Sequence, residues 1–248
     1  MTKSAKPYRL DKYLSACGQG SRNQVTRLIK RGLVTVNGYV IKSGATRIVP
    51  SDIVQLDGVL VSEAPPILLW HKPTGIQCTI GDPMGRLSLV DLVPGEILSR
   101  YHPVGRLDAD TSGLLLFSRI GALTQRLLHP KHGLPRSYLA TCESPFTSVH
   151  VNALELGVET SLGTFSAAVT RTDGHHIELS VTEGKYRMVR RMLANVGQPV
   201  TGLTRIKYGP FTLDDLTLET FRDPSKTEWH TAAEMKLPGF ELQPKESL

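Results

Sequence analysis

The sequence predicts an α+β protein with a small domain at residues 8–64 and a larger domain after it. Residues 8–64 have the pattern of two short helices followed by β-hairpins. A stretch with paired prolines, 62–66, reads as a linker, and strand-like apolar runs alternate with helical segments beyond it. The 248 residues, 40% of them hydrophobic, suffice for one large domain with a small companion.

The small domain starts with two amphipathic helices. Their apolar residues recur at helical spacing and are Leu10, Tyr13, Leu14 and Cys17 in the first and Val25, Leu28 and Ile29 in the second. Gly18 ends the first helix, Ser21 is a suitable N-cap for the second, and Gly32 closes it. The Asn-Gly pair at 37–38 lies between two β-prone runs and predicts a hairpin, and 53–56 predict a further strand.

The basic excess of the chain lies entirely in its first quarter. Residues 1–64 hold ten Lys and Arg against four Asp and Glu, whereas residues 65–248 hold nineteen of each kind. The second helix carries four basic side chains largely off its apolar face, namely Arg22, Arg27, Lys30 and Arg31. Such one-signed clustering is typical of a surface that binds a nucleic-acid backbone. A solvated basic face without a partner is the alternative, but no acidic residue between Asp11 and Asp52 balances these charges.

A polar loop with two carboxylates is the candidate site of the large domain. Residues 105–113 carry Asp108 and Asp110 between two glycines and lead into the apolar run 114–117. A core strand that leaves such a loop would hold Asp108 rigidly at the edge of a cleft, which suits a catalytic carboxylate. Judged by these residues alone, a polar turn before a buried strand is the commoner explanation.

Three stretches of the large domain resemble RNA pseudouridine synthases. The run G-R-L-D-A-D-T-S-G-L-L from Gly105 is similar to the signature G-R-L-D-x-x-T-S/T-G-L-L of that family. The segment E-G-K-Y-R-M-V-R-R-M from Glu183 is similar to its E-G-R-x-x-Q-V/I-R/K-R-M motif, and R-S-Y from Arg136 is similar to a K/R-x-Y strand. In the small domain, residues 21–38 resemble the S4 RNA-binding domain. An S4-like domain in front of the synthase domain is typical of the small-subunit type of ribosomal pseudouridine synthase, which this chain resembles.

The resemblance implies a division of the chain into three parts. An S4-like RNA-binding domain spans 8–64, and a pseudouridine synthase domain with a mixed, largely antiparallel sheet and flanking helices spans 66–222. Residues 223–248 form a C-terminal extension, and their polar, proline-containing composition predicts a loosely ordered tail.

The resemblance also implies roles for individual residues. Asp108 would be the catalytic carboxylate, Tyr138 would lie against the uracil ring, and Arg190 would form a salt bridge with Asp108. We interpret Asp110 as a residue that stabilises the loop. The candidate RNA contacts are Arg22, Arg27, Lys30, Arg31, Arg106, Lys185, Arg187 and Arg191.

The sequence departs from the family pattern at two places. His71 replaces the Asn of an N-K-P-x-G turn, and we interpret it as a structural residue. Arg187 and Met188 replace the usual polar residue and Gln of the second motif, so the contacts of this pair stay open.

No cofactor and no metal are expected, because the reaction of the family uses neither. The sequence also has no Walker A motif and no C-x-x-C pair, and its cysteines read as isolated thiols of a reducing compartment. We expect a monomer that acts in the cytoplasm, or in an organelle if a transit segment has been removed. Its partner would be ribosomal RNA or a ribosomal subunit precursor, with no membrane contact, since no apolar run has the length of a span.

Two functions of other classes stay open at this point. The first is a catalytically silent RNA-binding factor for ribosome assembly, against which the intact Asp108, Tyr138 and Arg190 argue. The second is a carboxylate-based glycosidase of free nucleosides, for which the basic small domain would have no use.

Overall fold

The computed structural model describes residues 7–17, 19–49, 52–61 and 64–240. The chain divides into two compact units, Met1–Pro65 and Pro66–Leu248. Outside the described residues lie Gly18, part of the predicted linker at 62–63, and residues 241–248 of the extension. No helix in the described ranges is both long enough and apolar enough to cross a membrane.

The first unit has two helices and six short strands among its described residues. In chain order they are β1 (Tyr8–Arg9), α1 (Leu10–Ala16), α2 (Arg22–Lys30), β2 (Val34–Val36), β3 (Tyr39–Val40), β4 (Arg47–Ile48), β5 (Val54–Leu56) and β6 (Val59–Leu60). Four strands form an antiparallel sheet in the order β3-β2-β5-β6, and β1 pairs with β4. Ser21 caps α2 as predicted, because its hydroxyl accepts a hydrogen bond from the backbone nitrogen of Gln24 at 3.4 Å. The two helices and the Asn-Gly hairpin are confirmed.

Helix α2 has one buried and one basic face, as its sequence predicts. Val25 and Ile29 are fully buried in the core of this unit. The four predicted basic side chains are exposed, namely Arg22, Arg27, Lys30 and Arg31. Arg22 lies 3.7 Å from a carboxylate oxygen of Asp11, whereas the other three make no ion pair within the described part of the chain. Two cations of α2 and Arg31 directly after it are therefore exposed without an acidic partner among the described residues.

The second unit has six α-helices and eleven strands among its described residues. They are β7 (Ile67–Lys72), α3 (Leu89–Leu92), α4 (Gly95–Leu98), β8 (His102–Pro103), β9 (Ser112–Ser118), α5 (Gly121–Leu128), β10 (Arg136–Cys142), α6 (Ser148–Leu156), β11 (Val158–Thr160), β12 (Gly163–Phe165), β13 (Ala168–Asp173), β14 (His176–Val181), α7 (Met188–Asn195), β15 (Val200–Tyr208), β16 (Phe211–Thr212), β17 (Phe221–Arg222) and α8 (Lys226–Glu234). A single 3₁₀ turn, Pro130–His132, follows α5.

Nine of the described strands form one sheet. Seven follow the order β13-β14-β10-β15-β9-β7-β17, with β16 beside β15 and β8 beside β9. Strands β9 and β15 run parallel, and the other described pairs of this sheet are antiparallel. Leu69 of β7 and Leu116 of β9 share a core with Leu123 of α5 and Ala232 of α8. The predicted mixed, largely antiparallel sheet with flanking helices is therefore confirmed.

The parallel pairing at the centre of this sheet depends on a glycine. Gly113 pairs with Arg205, and a Cβ atom on Gly113 would lie 2.3 Å from the carbonyl oxygen of Arg205. The φ angle of Gly113 is +105°, a value that side-chain-bearing residues rarely adopt. Any side chain here would push β9 away from β15, so the glycine of the T-S-G run determines how the polar loop enters the sheet.

The prediction of a loosely ordered C-terminal tail is wrong for residues 223–240. Helix α8 contributes Ala232 and Ala233 to the main core, and Leu237 and Phe240 after it are also buried. Burial of these apolar side chains stabilises the segment in spite of its polar composition.

A buried carboxylate joins α8 to the sheet. The Glu228 side chain is almost fully buried and accepts hydrogen bonds from the Arg222 guanidinium at 2.6 and 2.8 Å. It also accepts from the backbone nitrogens of Thr212 and Ser225, each at 2.7 Å. Burial alone would raise the pKa of Glu228, but these donors together lower it to about 2.

We expect Glu228→Gln to destabilise the protein by about 2–4 kcal/mol at pH 7, because Arg222 loses its buried counter-charge and keeps only the exposed Asp214 carboxylate at 3.7 Å. A carboxyl whose pKa is lowered on folding stabilises fully above its unfolded pKa, and this stabilisation is lost as the pH falls. The difference in unfolding free energy between the wild type and the variant should therefore shrink from pH 4.5 towards pH 2. Denaturant unfolding at several pH values measures it, with Glu234→Gln in the exposed His230 pair as control. A difference that does not depend on pH would contradict this account.

Candidate active site

A buried lysine holds the loop that carries Asp108. Lys72 ends β7, and none of its surface is exposed. Its ammonium group donates hydrogen bonds to the carbonyls of Asp108 at 3.2 Å and Thr111 at 3.1 Å, and a third to the carbonyl of Pro73 at 2.8 Å. Burial lowers the pKa of Lys72, and the neighbouring acidic groups oppose this shift. Because Lys72 donates hydrogen bonds to the carbonyls of both Asp108 and Thr111, it restrains the conformation of the loop between these two residues.

Two further contacts hold the same loop. The backbone nitrogen of Leu107 donates to the sulfur of Cys78 at 3.3 Å. The backbone nitrogen of Gly75 donates to the carbonyl of Ala109 at 2.7 Å. Burial raises the pKa of the Cys78 thiol, so this sulfur acts as a protonated acceptor and not as a thiolate. The backbone around Asp108 is thus supported on both sides.

Asp108 and Tyr138 line the same cleft, which has a volume of about 290 Å³. Asp108 is half-buried, and Tyr138 on β10 is 9% exposed. Strand β10 changes register against β15 between Ser137 and Tyr138, so that Tyr138 pairs with Arg205. A β-bulge of this kind commonly re-aims a side chain beside an active site. The structure brings the predicted carboxylate and the predicted tyrosine together.

The lining of the cleft is strongly basic. Six cationic and two anionic residues border it: Arg106, Arg136, Lys185, Arg187, Arg190 and Arg205, with Asp108 and Glu183. Arg106 and Lys185 are exposed at its edge. Arg191, also predicted to contact RNA, is half-buried outside this lining, where it donates to the Ser161 hydroxyl and lies 5.7 Å from the Tyr186 ring centre. An anionic ligand would be attracted to this cleft.

The expected salt bridge between Arg190 and Asp108 is absent from the described residues. The Arg190 guanidinium instead lies 3.4 Å from a carboxylate oxygen of Asp110 and donates to the Asp110 carbonyl at 2.7 Å. Burial lowers the pKa of Arg190, and the charge of Asp110 partly restores it. The sequence presents two carboxylates two residues apart, and the conformation of the loop turns Asp110 towards the arginine.

The two departures from the family motifs both have structural partners. A ring nitrogen of His71 lies 2.7 Å from the carbonyl oxygen of Leu216, which agrees with the structural interpretation of this histidine. Arg187 has a left-handed backbone with φ of +50° and forms a two-pronged ion pair with Asp110 at 2.8 and 3.1 Å. Partial burial would raise the pKa of Asp110, but Arg187 and Arg190 hold it below its ordinary range.

Sequence reasoning missed the buried cations of the site. Besides Lys72, they are Arg136, which donates to the Tyr208 hydroxyl at 2.8 Å, and Arg205, which donates to the Leu114 carbonyl at 2.8 Å. Arg136 is 8% exposed and Arg205 is 3% exposed. A basic residue on the otherwise apolar face of a core strand is the signal that could have identified them, because such burial needs specific partners.

Both units of the chain match known protein families. Residues 66–195 match the family described as RNA pseudouridylate synthase, and residues 9–54 match the S4 domain. The chain belongs to the RNA pseudouridylate synthase family. It carries an S4 domain in front of the synthase domain, as the sequence predicts.

Three relatives of this RNA pseudouridine synthase illustrate the match. It is 38% identical to ribosomal large subunit pseudouridine synthase B of Vibrio vulnificus, over 83% of this chain and 68% of the relative. It is 33% identical to ribosomal small subunit pseudouridine synthase A of Pasteurella multocida, over 85% and 93%. A crystal structure of a pseudouridylate synthase superposes with a TM-score of 0.61 and 29% identity, covering 89% of this chain and 97% of that one.

Proposed function

We propose that this synthase converts a uridine of ribosomal RNA to pseudouridine, with Asp108, Tyr138 and Arg190 as its functional residues. The observation that carries the proposal is the meeting of Asp108 and Tyr138 in one basic cleft. Ribosomal RNA as the substrate is supported by the names of relatives from both the large-subunit and the small-subunit groups. The comparisons do not favour a catalytically silent RNA-binding factor.

The reaction breaks the N1–C1′ glycosidic bond and forms a C5–C1′ bond within the same nucleotide. A base inside a duplex is out of reach, so the uridine must be unpaired or flipped into the cleft. Cleavage leaves positive charge on the ribose, which a carboxylate below the sugar stabilises, as in glycoside hydrolysis. Asp108 has this role, either by attack on C1′ or by removal of a proton at C2′.

Tyr138 would keep the detached uracil in place while it turns. An aromatic ring against the base face holds it without fixing its in-plane orientation. Once C5 has bonded to C1′, the proton at C5 must leave and N1 must gain one. The Tyr138 hydroxyl has no hydrogen-bond partner among the described residues, so it is free to assist this transfer.

Arg190 acts in this proposal by positioning the loop. Its guanidinium donates to the Asp110 carbonyl, two residues from Asp108, while Lys72 supports the loop from the other side. The reaction rearranges bonds within one nucleotide with no net oxidation or hydrolysis, and we assign no cofactor or metal to it.

The domains of the proposed enzyme are 8–64 for RNA binding and 66–222 for catalysis, with 223–248 as an extension. In the first, the exposed cations of α2 would contact phosphates. Around the cleft, the phosphates would be contacted by Arg106, Lys185 and Arg187. Arg191 could contact a phosphate only after giving up its hydrogen bond to Ser161. We further propose that the protein acts as a monomer in the cytoplasm, where ribosomal RNA or a subunit precursor would be available.

Tritium release from C5-labelled uridine tests the reaction, because the C5 proton is lost only when C5 replaces N1 at the sugar. Transcripts of small-subunit and large-subunit ribosomal RNA serve as substrates, together with partly assembled subunits. We expect release from one of them at one uridine per molecule. Tight binding of all these RNAs without release would favour the silent RNA-binding factor, and release from free uridine would favour a nucleoside enzyme.

We expect the double substitution of Arg27 and Lys30 by Ala to weaken binding of the RNA substrate about tenfold at moderate salt. Two phosphate contacts would be lost, so the slope of log affinity against log salt should decrease by roughly 1.5. Filter binding at ~50 to ~200 mM salt measures both quantities. The matched control replaces two exposed cations of the second unit, Arg171 and Lys236, by Ala. An unchanged slope in the double variant would remove α2 from the RNA interface.

A further inference from the structure

Two arginines contact the carboxylate of Asp110, which lies in the same loop as Asp108. Both prongs of the Arg187 guanidinium contact Asp110, with Nη1 to Oδ1 at 3.1 Å and Nη2 to Oδ2 at 2.8 Å. The Nε atom of Arg190 lies 3.4 Å from the same Oδ2 atom. This arrangement leaves one net positive charge at the edge of the cleft that holds Asp108.

Contacts other than the Asp110 carboxylate hold the backbone of the loop. Lys72 grips the carbonyls on either side of it, and Gly75 donates to the carbonyl of Ala109. Arg190 reaches the loop through the backbone carbonyl of Asp110, a contact that any residue at this position would keep. The side chain of Asp110 therefore acts mainly on the two arginines, and its hydrogen bond with its own backbone nitrogen is the smaller contribution.

The site is accessible to a ligand. The Asp110 side chain is 47% exposed, the Arg187 side chain 35% and the Arg190 side chain 12%, and both arginines line the cleft of Asp108 and Tyr138. An ion pair with this exposure is screened by solvent and easily exchanged. The left-handed backbone of Arg187 is unfavourable for a residue with a side chain, and such conformations are concentrated at ligand sites.

We propose that Arg187 and Arg190 form a binding site for a phosphodiester of the RNA next to the target nucleotide, which Asp110 occupies until the RNA arrives. A carboxylate and a phosphate present two oxygens at similar spacing to an arginine fork, so one can replace the other. Asp110 orients both guanidinium groups in the free protein and withdraws when the phosphate enters. The proposal rests on the proposed function, because it takes RNA as the ligand of this cleft.

The proposal predicts that removal of the acidic charge strengthens RNA binding. We expect Asp110→Asn to bind the ribosomal RNA transcript three- to tenfold more tightly, because the phosphate no longer displaces a competitor. Arg187→Ala should bind several-fold more weakly. In the Arg187→Ala background, the gain from Asp110→Asn should largely disappear, since its main partner is missing.

Filter binding of the four proteins in this double-mutant cycle, at two salt concentrations, makes the test. Arg171→Ala and Asp173→Asn provide the control cycle. These two residues form an ion pair in the same unit, and both side chains are exposed. Its effects should be small and additive.

If the effects of Asp110→Asn and Arg187→Ala on RNA affinity are additive, the Asp110 effect is explained by long-range electrostatic repulsion of the RNA alone. That result would overturn the proposal. Weaker binding by Asp110→Asn would also overturn it and would make Asp110 a loop-stabilising residue. Binding is measured independently of turnover, so the two proposals fail separately. If the effects of Asp110→Asn and Arg187→Ala are coupled but no tritium is released, the phosphate site is supported and the proposed reaction is not. If tritium is released but the two effects are additive, the reaction is supported and the phosphate site is not.

Discussion

Asp108→Asn is expected to reduce the rate of tritium release at least about 10⁴-fold, while affinity for the RNA transcript changes less than about twofold. An amide of the same size can neither attack C1′ nor take a proton from C2′. The Asp108 side chain makes no ion pair or hydrogen bond within the described part of the chain, and its charge acts on Lys72, Arg187 and Arg190 only at longer range. Its replacement should therefore leave the fold intact. Single-turnover release and filter binding, measured on the same preparations, give both quantities.

The matched control for this prediction is Asp173→Asn, which neutralises an exposed carboxylate of the same unit outside the cleft. It should retain full turnover. If Asp108→Asn instead loses RNA affinity by tenfold or more, or unfolds at a clearly lower temperature, Asp108 is a structural residue. Residual turnover above one per cent would assign the catalytic carboxylate elsewhere.

Lys72→Met is expected to lower turnover about 10²-fold or more, although Lys72 is not among the residues that line the cleft. The methionine is also unbranched and is one atom shorter, and it leaves the carbonyls of Asp108 and Thr111 without their shared donor. The loop can then shift, and a displacement of about 1 Å at a reacting group costs roughly 10²-fold in rate. Leaving buried acceptors unpaired should also reduce the unfolding free energy by about 1–3 kcal/mol.

Comparison with Lys207→Met distinguishes a role of Lys72 in positioning the Asp108 loop from a general effect of the substitution on the fold. Lys207 is an exposed lysine of β15, so this control makes the same chemical change on a strand of the same sheet. Turnover should fall through kcat, with RNA affinity and the salt dependence of binding nearly unchanged. Equal losses in both variants, or unaltered turnover in a folded Lys72→Met protein, would contradict the role of this lysine.

Local patterns accounted for much of the fold. The helices of the first unit followed from apolar spacing and from Ser21 at the start of α2, where the capping contact with Gln24 forms within four residues. Strand β9 followed from an apolar run after a glycine, and Gly113 has the positive φ and the close backbone approach that only a glycine permits. These features depend on near neighbours in sequence, so the sequence alone contains them.

The ordered structure of the C-terminal segment could not be predicted from local sequence patterns. Its composition is polar, and the contacts that order it come from distant parts of the chain. Glu228 accepts from Thr212, and Phe240 packs against Phe211 with ring centres 5.7 Å apart. Composition alone therefore misjudged a helix that tertiary contacts stabilise.

The sequence by itself determined the family, the two kinds of domain and the identity of Asp108 and Tyr138 as candidates, because these depend on motifs and on local periodicity. Only the tertiary structure decided which charged groups meet. Arg190 could pair with Asp108 or with Asp110, and the conformation of the loop selects Asp110. Lys72 lies 36 residues before Asp108 in the chain and yet supports it. Such pairings depend on how strands from separate parts of the chain are brought together in one sheet, which no local pattern specifies.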